Sequence, residues 1–227
     1  MAEEREEVAE RACDDPEALE GLIDQLADRS RLKRQKAASA VAVVSDRKPE
    51  LLFPYVGEIG DGLLQPEAQT RWELLHALDQ MGKAGQHFGE DVLGAAEDAL
   101  YDESNDIVRA SAFRFFCRYG AASPENSDRV WPLIDEAVQC YHGDSEFSNM
   151  LGDLVYFAQG DISMETCTAL ALRMRFDAEN GSGTLRMRSE QIVKVFRDRG
   201  GVFAETEPSS PDDDLPGDDF DDEDDDF

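Results

Sequence analysis

The sequence predicts an all-α protein: a right-handed α–α superhelix (an α-solenoid) of about five helical hairpins within residues 1–204, followed by a disordered acidic tail at 205–227. Three observations carry this expectation. Apolar residues recur at spacings of three and four, and alternating strand patterns are nearly absent. Helix-start and helix-stop residues punctuate the chain at short intervals. Successive helix pairs also align with one another at offsets of 37 and 38 residues.

The elements follow in order. Asp15 and Pro16 open PEALEGLIDQLAD with an N-cap and a proline at the first helical position. Ser30 precedes RLKRQKAASAVAVVSD, and Pro49 opens PELLFPYVGEIGDGLL. Pro66 opens PEAQTRWELLHALDQMGKAG, where Gly82 and Gly85 read as C-terminal signals. Four more segments follow: FGEDVLGAAEDALYD, NDIVRASAFRFFCRYGA, PENSDRVWPLIDEAVQCYHGD and SEFSNMLGDLVYFAQGD. SMETCTALALRMRFDAE and, past a Gly-Ser-Gly linker, TLRMRSEQIVKVFRDRGG complete the solenoid across 10–202.

The repeat is seen by setting Arg34, Arg71 and Arg109 in register. Ala37, Leu74 and Ala112 then align, as do Ala38, Leu75 and Phe113. So do Ala40, Ala77 and Phe115, then Val41, Leu78 and Phe116, and finally Val44, Met81 and Tyr119. Each such helix follows another that ends in a polar corner, at Asp28, Gln65 and Asp102. Pairs at 123–159 and 163–199 keep the length and lose the arginine, as terminal units of a stack do.

DRSRLKRQKAASAVAVV followed by PELLFPYVGEI resembles the HEAT repeat family, in which a corner Asp precedes an Arg and an Ala-Ala-x-Ala stretch. The resemblance runs over residues 16–120 and implies stacked hairpins with an extended groove. Two departures stand out: Gln65 replaces the corner acid in the second unit, and FRFF occupies small-residue positions in the third. The FRFF run should widen the spacing between helices there.

Charge excludes some functions. The chain has 51 acids and 22 bases, and residues 205–227 hold 13 of the acids and no base, leaving a net of −16 on the body. Such a body argues against nucleic acid or anionic lipid as partner. No apolar run is long enough to span a bilayer, and the N-terminus is acidic where a secretory signal is basic and then apolar. The expected setting is the cytoplasm. Cys13, Cys117, Cys140 and Cys167 lie far apart with no paired spacing, so they read as small buried hydrophobes. His76, His87 and His142 are equally scattered; there is no phosphate-cradling glycine loop, and DESND at 102–106 lacks the residues of a calcium loop. No catalytic residues, metal or cofactor are expected.

Candidate binding residues come from two basic stretches. Arg29, Arg31, Lys33, Arg34 and Lys36 form an island, either a solvated helix face or a dock for an acidic peptide. Arg186, Arg188, Lys194 and Arg197 lie in a second stretch that runs from Arg173 to Arg199. The aligned Arg34, Arg71 and Arg109 read either as a structural ladder bonded to corner carboxylates or as a row gripping an acidic ligand. In the tail, Leu215, Phe220 and Phe227 interrupt the acid run as recognition residues do. DDDLP and the final DDDF resemble the acidic tip of bacterial single-stranded-DNA-binding proteins, though Pro216 and Phe227 stand 11 residues apart. A purely solubilising tail is the alternative.

The expected function is a non-catalytic scaffold that binds another protein through the solenoid groove, with the tail for recognition or self-docking. Helical-repeat enzymes that excise alkylated bases from DNA are the alternative, and the acidic body weighs against them. HEAT-like lyases that attach bilin pigments offer no residue set to carry over.

Overall fold

The computed structural model describes residues 2–203, which form eleven α-helices and, within that range, no strand. The first helix was not legible in the sequence. α1 (Ala2–Asp14) buries only small residues, Ala9 and Ala12, so its apolar stripe is too thin to stand out among acids. Glu4 pairs with Lys36 at 2.6 Å and Glu6 pairs with Arg47, which lays α1 against the next unit.

α2 (Pro16–Asp24) begins where expected, with the Asp15 carboxylate accepting from the Glu17 N–H at 3.0 Å. It tightens into a 3-10 turn over Gln25–Ala27 and is followed by α3 (Arg31–Arg47). The helix expected over 49–64 is broken. It comprises a 3-10 stretch, Pro49–Tyr55, then α4 (Val56–Asp61), then a 3-10 turn, Gly62–Leu64. Pro54 explains the break, because it lacks an N–H and disfavours helical backbone at the residue before it. α5 (Ala68–Lys83) starts two residues after Pro66, and Gly85, with φ of +97°, turns the chain out of it. α6 (Glu90–Leu100), α7 (Asp106–Gly120), α8 (Pro124–Tyr141), α9 (Phe147–Gln159), α10 (Met164–Asn180) and α11 (Gly183–Asp198) complete the chain. Asn105, Ser123 and Ser163 cap α7, α8 and α10 through their side-chain oxygens.

The odd-numbered helices form one layer, in which α1, α3, α5, α7, α9 and α11 pack consecutively. The even-numbered helices lie behind them, with α4 against α6 and α8 against α10. This is an all-α solenoid of five hairpins with α1 as an added leading helix. Every position of the aligned stripes on α3, α5 and α7 is buried. Each large apolar side chain so enclosed stabilises the fold by about 1.5–3 kcal/mol.

The FRFF segment fits without loss of register. Phe113, Phe115 and Phe116 are fully buried, and the Phe115 ring lies 5.3 Å from those of Phe88 and Phe116. Room comes from Gly82, which lies inside α5 rather than ending it. A Cβ at Gly82 would meet the Phe88 ring at 3.3 Å.

Candidate functional site

Arg34, Arg71 and Arg109 form the structural ladder. Arg34 sends Nε to Glu67 at 3.1 Å, pairs a second nitrogen with the same carboxylate, and donates to the Asp28 carbonyl at 2.7 Å. Arg71 pairs with Asp102. Arg109 grips Glu146 through two nitrogens, at 2.9 and 3.0 Å, and donates to the Asp102 carbonyl at 2.6 Å. Each arginine therefore ties its own unit to the corner of the next, just before that unit's second helix. Two of the three acids are not the expected corner residues: Glu67 and Glu146 sit at the entry to α5 and α9, where negative charge also suits the helix dipole. Glu67 thus supplies the charge that Gln65 withholds.

Electrostatics follow from these bonds. Hydrogen bonds from Arg34 hold the Glu67 carboxyl below its ordinary range. Burial pushes Asp102 upward, but Ser104 and Arg71 outweigh it and hold the carboxyl at about 2. Asp153 on α9 behaves oppositely: burial raises it, against the pull of Arg114 and Arg118.

With the ladder arginines committed to acids of the fold, the surface available to a ligand is the open side of the odd-numbered row. Two clefts lie side by side on it. The larger, of about 460 Å³, is walled by Glu4 and Val8 of α1, Leu32, Lys36 and Ser39 of α3, and Gln69 and Glu73 of α5. Its floor is apolar, with Leu22, Ala37 and Ala40, and Leu32 is 61% exposed. Ser39 donates to Glu73 at 3.0 Å and accepts from Gln69 at 3.2 Å. The smaller cleft, of about 30 Å³, lies between Trp72, His76 and Asp79 of α5 and Ser111 and Arg114 of α7. Gln69, Trp72, Glu73 and His76 recur at three and four along α5, so a single helix face joins the two clefts.

Asp79 is the distinctive group here. It is buried, and its Oδ2 accepts from Lys83 at 2.9 Å and Arg118 at 3.0 Å, while no protein donor reaches Oδ1. Nearby, His76 Nε2 lies 2.7 Å from Asp46, and Arg114 reaches Asp153 at 3.3 Å. The Arg118 guanidinium lies 5.5 Å from the centre of the Tyr156 ring. Acids and bases alternate across the face, with an aromatic ring beside the buried acid. This suits polar recognition of an extended chain.

The basic stretches are dispersed. Arg29 precedes α3, its carbonyl accepting from Arg34, and Arg31 is exposed at the helix start. Lys33 bonds its own corner acid, Asp28, at 2.9 Å, and Lys36 turns to Glu4. On α11, Arg186 pairs with Glu190 at 2.8 Å, Arg188 donates to Gln191 at 3.2 Å, and Lys194 pairs with Asp198. Arg197 lies 5.9 Å from the Phe203 ring centre. Leu215, Phe220 and Phe227, with the acidic tail, lie outside the described residues.

Sequence reasoning missed Trp72, Glu73 and Asp79 as site residues. Trp72 sits inside an amphipathic helix pattern with nothing to mark it as surface, and Asp79 is one acid among 51. The available signal was an acid inside the buried stripe of α5, beside Leu78 and two residues before Met81. Among the described residues no group of acids, histidines and cysteines could hold a metal ion, and no helix is long and apolar enough to cross a membrane.

No family model and no curated protein matches the chain. Solved structures do match. A computationally designed armadillo repeat protein for modular peptide recognition aligns with a TM-score of 0.61 at 13% identity, over 84% of this chain and 90% of that one. A designed armadillo repeat protein in complex with the peptide (KR)4 gives 0.59 at 13%, over 85% and 91%. An engineered protein gives 0.59 at 15%, over 88% and 90%. At such identities the likeness is one of fold, and it supports a helical-repeat solenoid.

Proposed function

We propose that this protein is a non-catalytic protein–protein interaction scaffold that takes an extended segment of its partner along the open face of α3, α5 and α7. The observation that carries the reading is the pair of adjoining clefts on that face, joined through α5. The segment presents a cationic side chain to the smaller cleft. The Asp79 carboxylate and the Trp72 ring both line that cleft and set negative charge beside a π-face. A body of net −16 attracts such a partner at long range. A structural relative at 13% identity is in complex with the peptide (KR)4, which supports this reading.

The finer family reading is that the units are HEAT-like, supported by two-helix repeats at 37–38 residues and the arginine near the start of the second helix in three of them, at Arg34, Arg71 and Arg109. The alternative of an enzyme acting on DNA calls for a basic face, whereas Glu73, Asp79, Asp46 and Asp153 interrupt this one. We propose a cytoplasmic setting, with which four cysteines outside any disulfide are in keeping.

Trp72 reports on its own cleft. The chain has two tryptophans, and Trp131→Phe leaves Trp72 as the sole emitter. Titration of that variant with an alternating Lys-Arg peptide should change its emission in a saturable way that weakens with salt. A Glu-rich peptide should have no effect. Equal responses to both peptides, or none to the basic one, overturn the reading.

A further inference from the structure

The last hairpin ends the solenoid with apolar surface showing. On α10, Leu172, Arg175, Phe176 and Glu179 recur at three and four and share one side of the helix. Leu172 is 54% exposed and Phe176 72%, while Leu170, Ala171, Met174 and Ala178 on the other side are buried. A terminal unit is normally polar outward, because nothing stacks beyond it.

The chain itself turns towards this surface. The Phe203 ring lies 4.9 Å from that of Phe196, with the Arg175 guanidinium 4.9 Å and that of Arg197 5.9 Å from its centre. Gly201 makes the reversal possible, since a Cβ there would stand 2.1 Å from the Phe196 ring. The described chain therefore ends at Phe203, beside Arg175 on the exposed side of α10.

We propose that residues 205–227 fold back in cis onto α10 and α11, where Leu215, Phe220 and Phe227 cover the Leu172–Phe176 stripe and the acid run lies among the surrounding bases. Three arguments select this occupant. The first is length: a flexible chain of this size spans roughly 25–29 Å, and α10 measures about 25 Å from end to end. The second is charge. The segment carries 13 acids and no base, whereas seven bases lie between Arg173 and Arg199. Some of those bases now hold exposed partners, Arg175 with Glu179 and Arg186 with Glu190, and such surface pairs exchange readily. The third is tethering, which keeps the segment at an effective concentration of about millimolar. This inference does not depend on the open face of α3–α7.

Amide NMR of the full-length chain tests it. The variant L215A/F220A/F227A keeps every charge and removes the three apolar contacts. Relative to the parent, the amides of Leu172–Phe176 and Arg197–Phe203 should move and exchange with solvent faster, to the same extent at every protein concentration. Raising salt should drive the parent spectrum towards that of the variant. Phe176→Ser, on an exposed side chain, should reproduce the effect with the tail intact. Unchanged amides on α10 overturn the proposal. Differences that grow with concentration place a second copy on the stripe and overturn cis docking. The Trp72 titration with basic peptide reads the other face, so either result stands without the other.

Discussion

At the scale of single residues, the Arg34–Glu67 pair is the most exposed to test, because it is nearly enclosed: the side chains are 11% and 5% exposed. Arg34→Met strands the Glu67 carboxylate without its partner and should lower the urea midpoint. Arg34→Met with Glu67→Leu should cost much less, since the stranded charge is gone. Acid gives a second test, at Asp102. Its carboxyl is held at about 2, below the ordinary 3.8, so it stabilises the fold fully above 3.8, and that contribution is lost as pH falls through 3.8 towards about 2. Asp102→Asn should lower stability at neutral pH and flatten the acid loss in that window, as denaturant curves from pH 5 to 2 would show. The arginines of this ladder were legible because they repeat at 37 and 38 residues. Their acids were only partly legible. A carboxylate can reach a guanidinium from several positions around a corner, so Glu67 and Glu146 carry no fixed spacing.

Among the elements, the joint between α7 and the α9–α10 turn brings two backbones into close contact. The Asp161 N–H donates to the Ala121 carbonyl at 2.8 Å, and a Cβ at Gly160 would lie 2.5 Å from that oxygen. Gly160→Ala should therefore cost about 1–3 kcal/mol by forcing the backbones apart, measurable as a lower urea midpoint with an unchanged slope. Ten of the eleven helices were legible, because proline, serine and asparagine caps bracket stripes of apolar residues. α1 was not legible, since alanine leaves little stripe to read. The breaks around α4 were also missed, although Pro54 marked them, because the apolar spacing runs on across the 3-10 turns. The clefts were hidden for a different reason. One arises where α1, α3 and α5 meet and the other between α5 and α7, and a space between helices distant in sequence has no local pattern.

The whole molecule carries strong like charge, 51 acids against 22 bases. Self-repulsion of this kind destabilises a compact state and is screened by salt, while the exposed ion pairs that salt also weakens contribute little. Raising ionic strength from about 0.01 M to 0.15 M shortens the screening length from about 30 Å to about 8 Å. The melting temperature should rise by about 2–4 °C for each kcal/mol of repulsion relieved, and a fall on adding salt would contradict this account. Interaction between units has a different basis, since each ladder arginine meets an acid at the corner of the following unit, before its second helix. Arg34 finds Glu67, and Arg71 finds Asp102, by the same gesture. Excising residues 65–101 would bring Arg34 to Asp102 at the sequence distance Arg71 now has. The solenoid should therefore be shortened by a whole unit more readily than by a single turn, and a chain built in this way can change its length by recombination without redrawing its surface contacts.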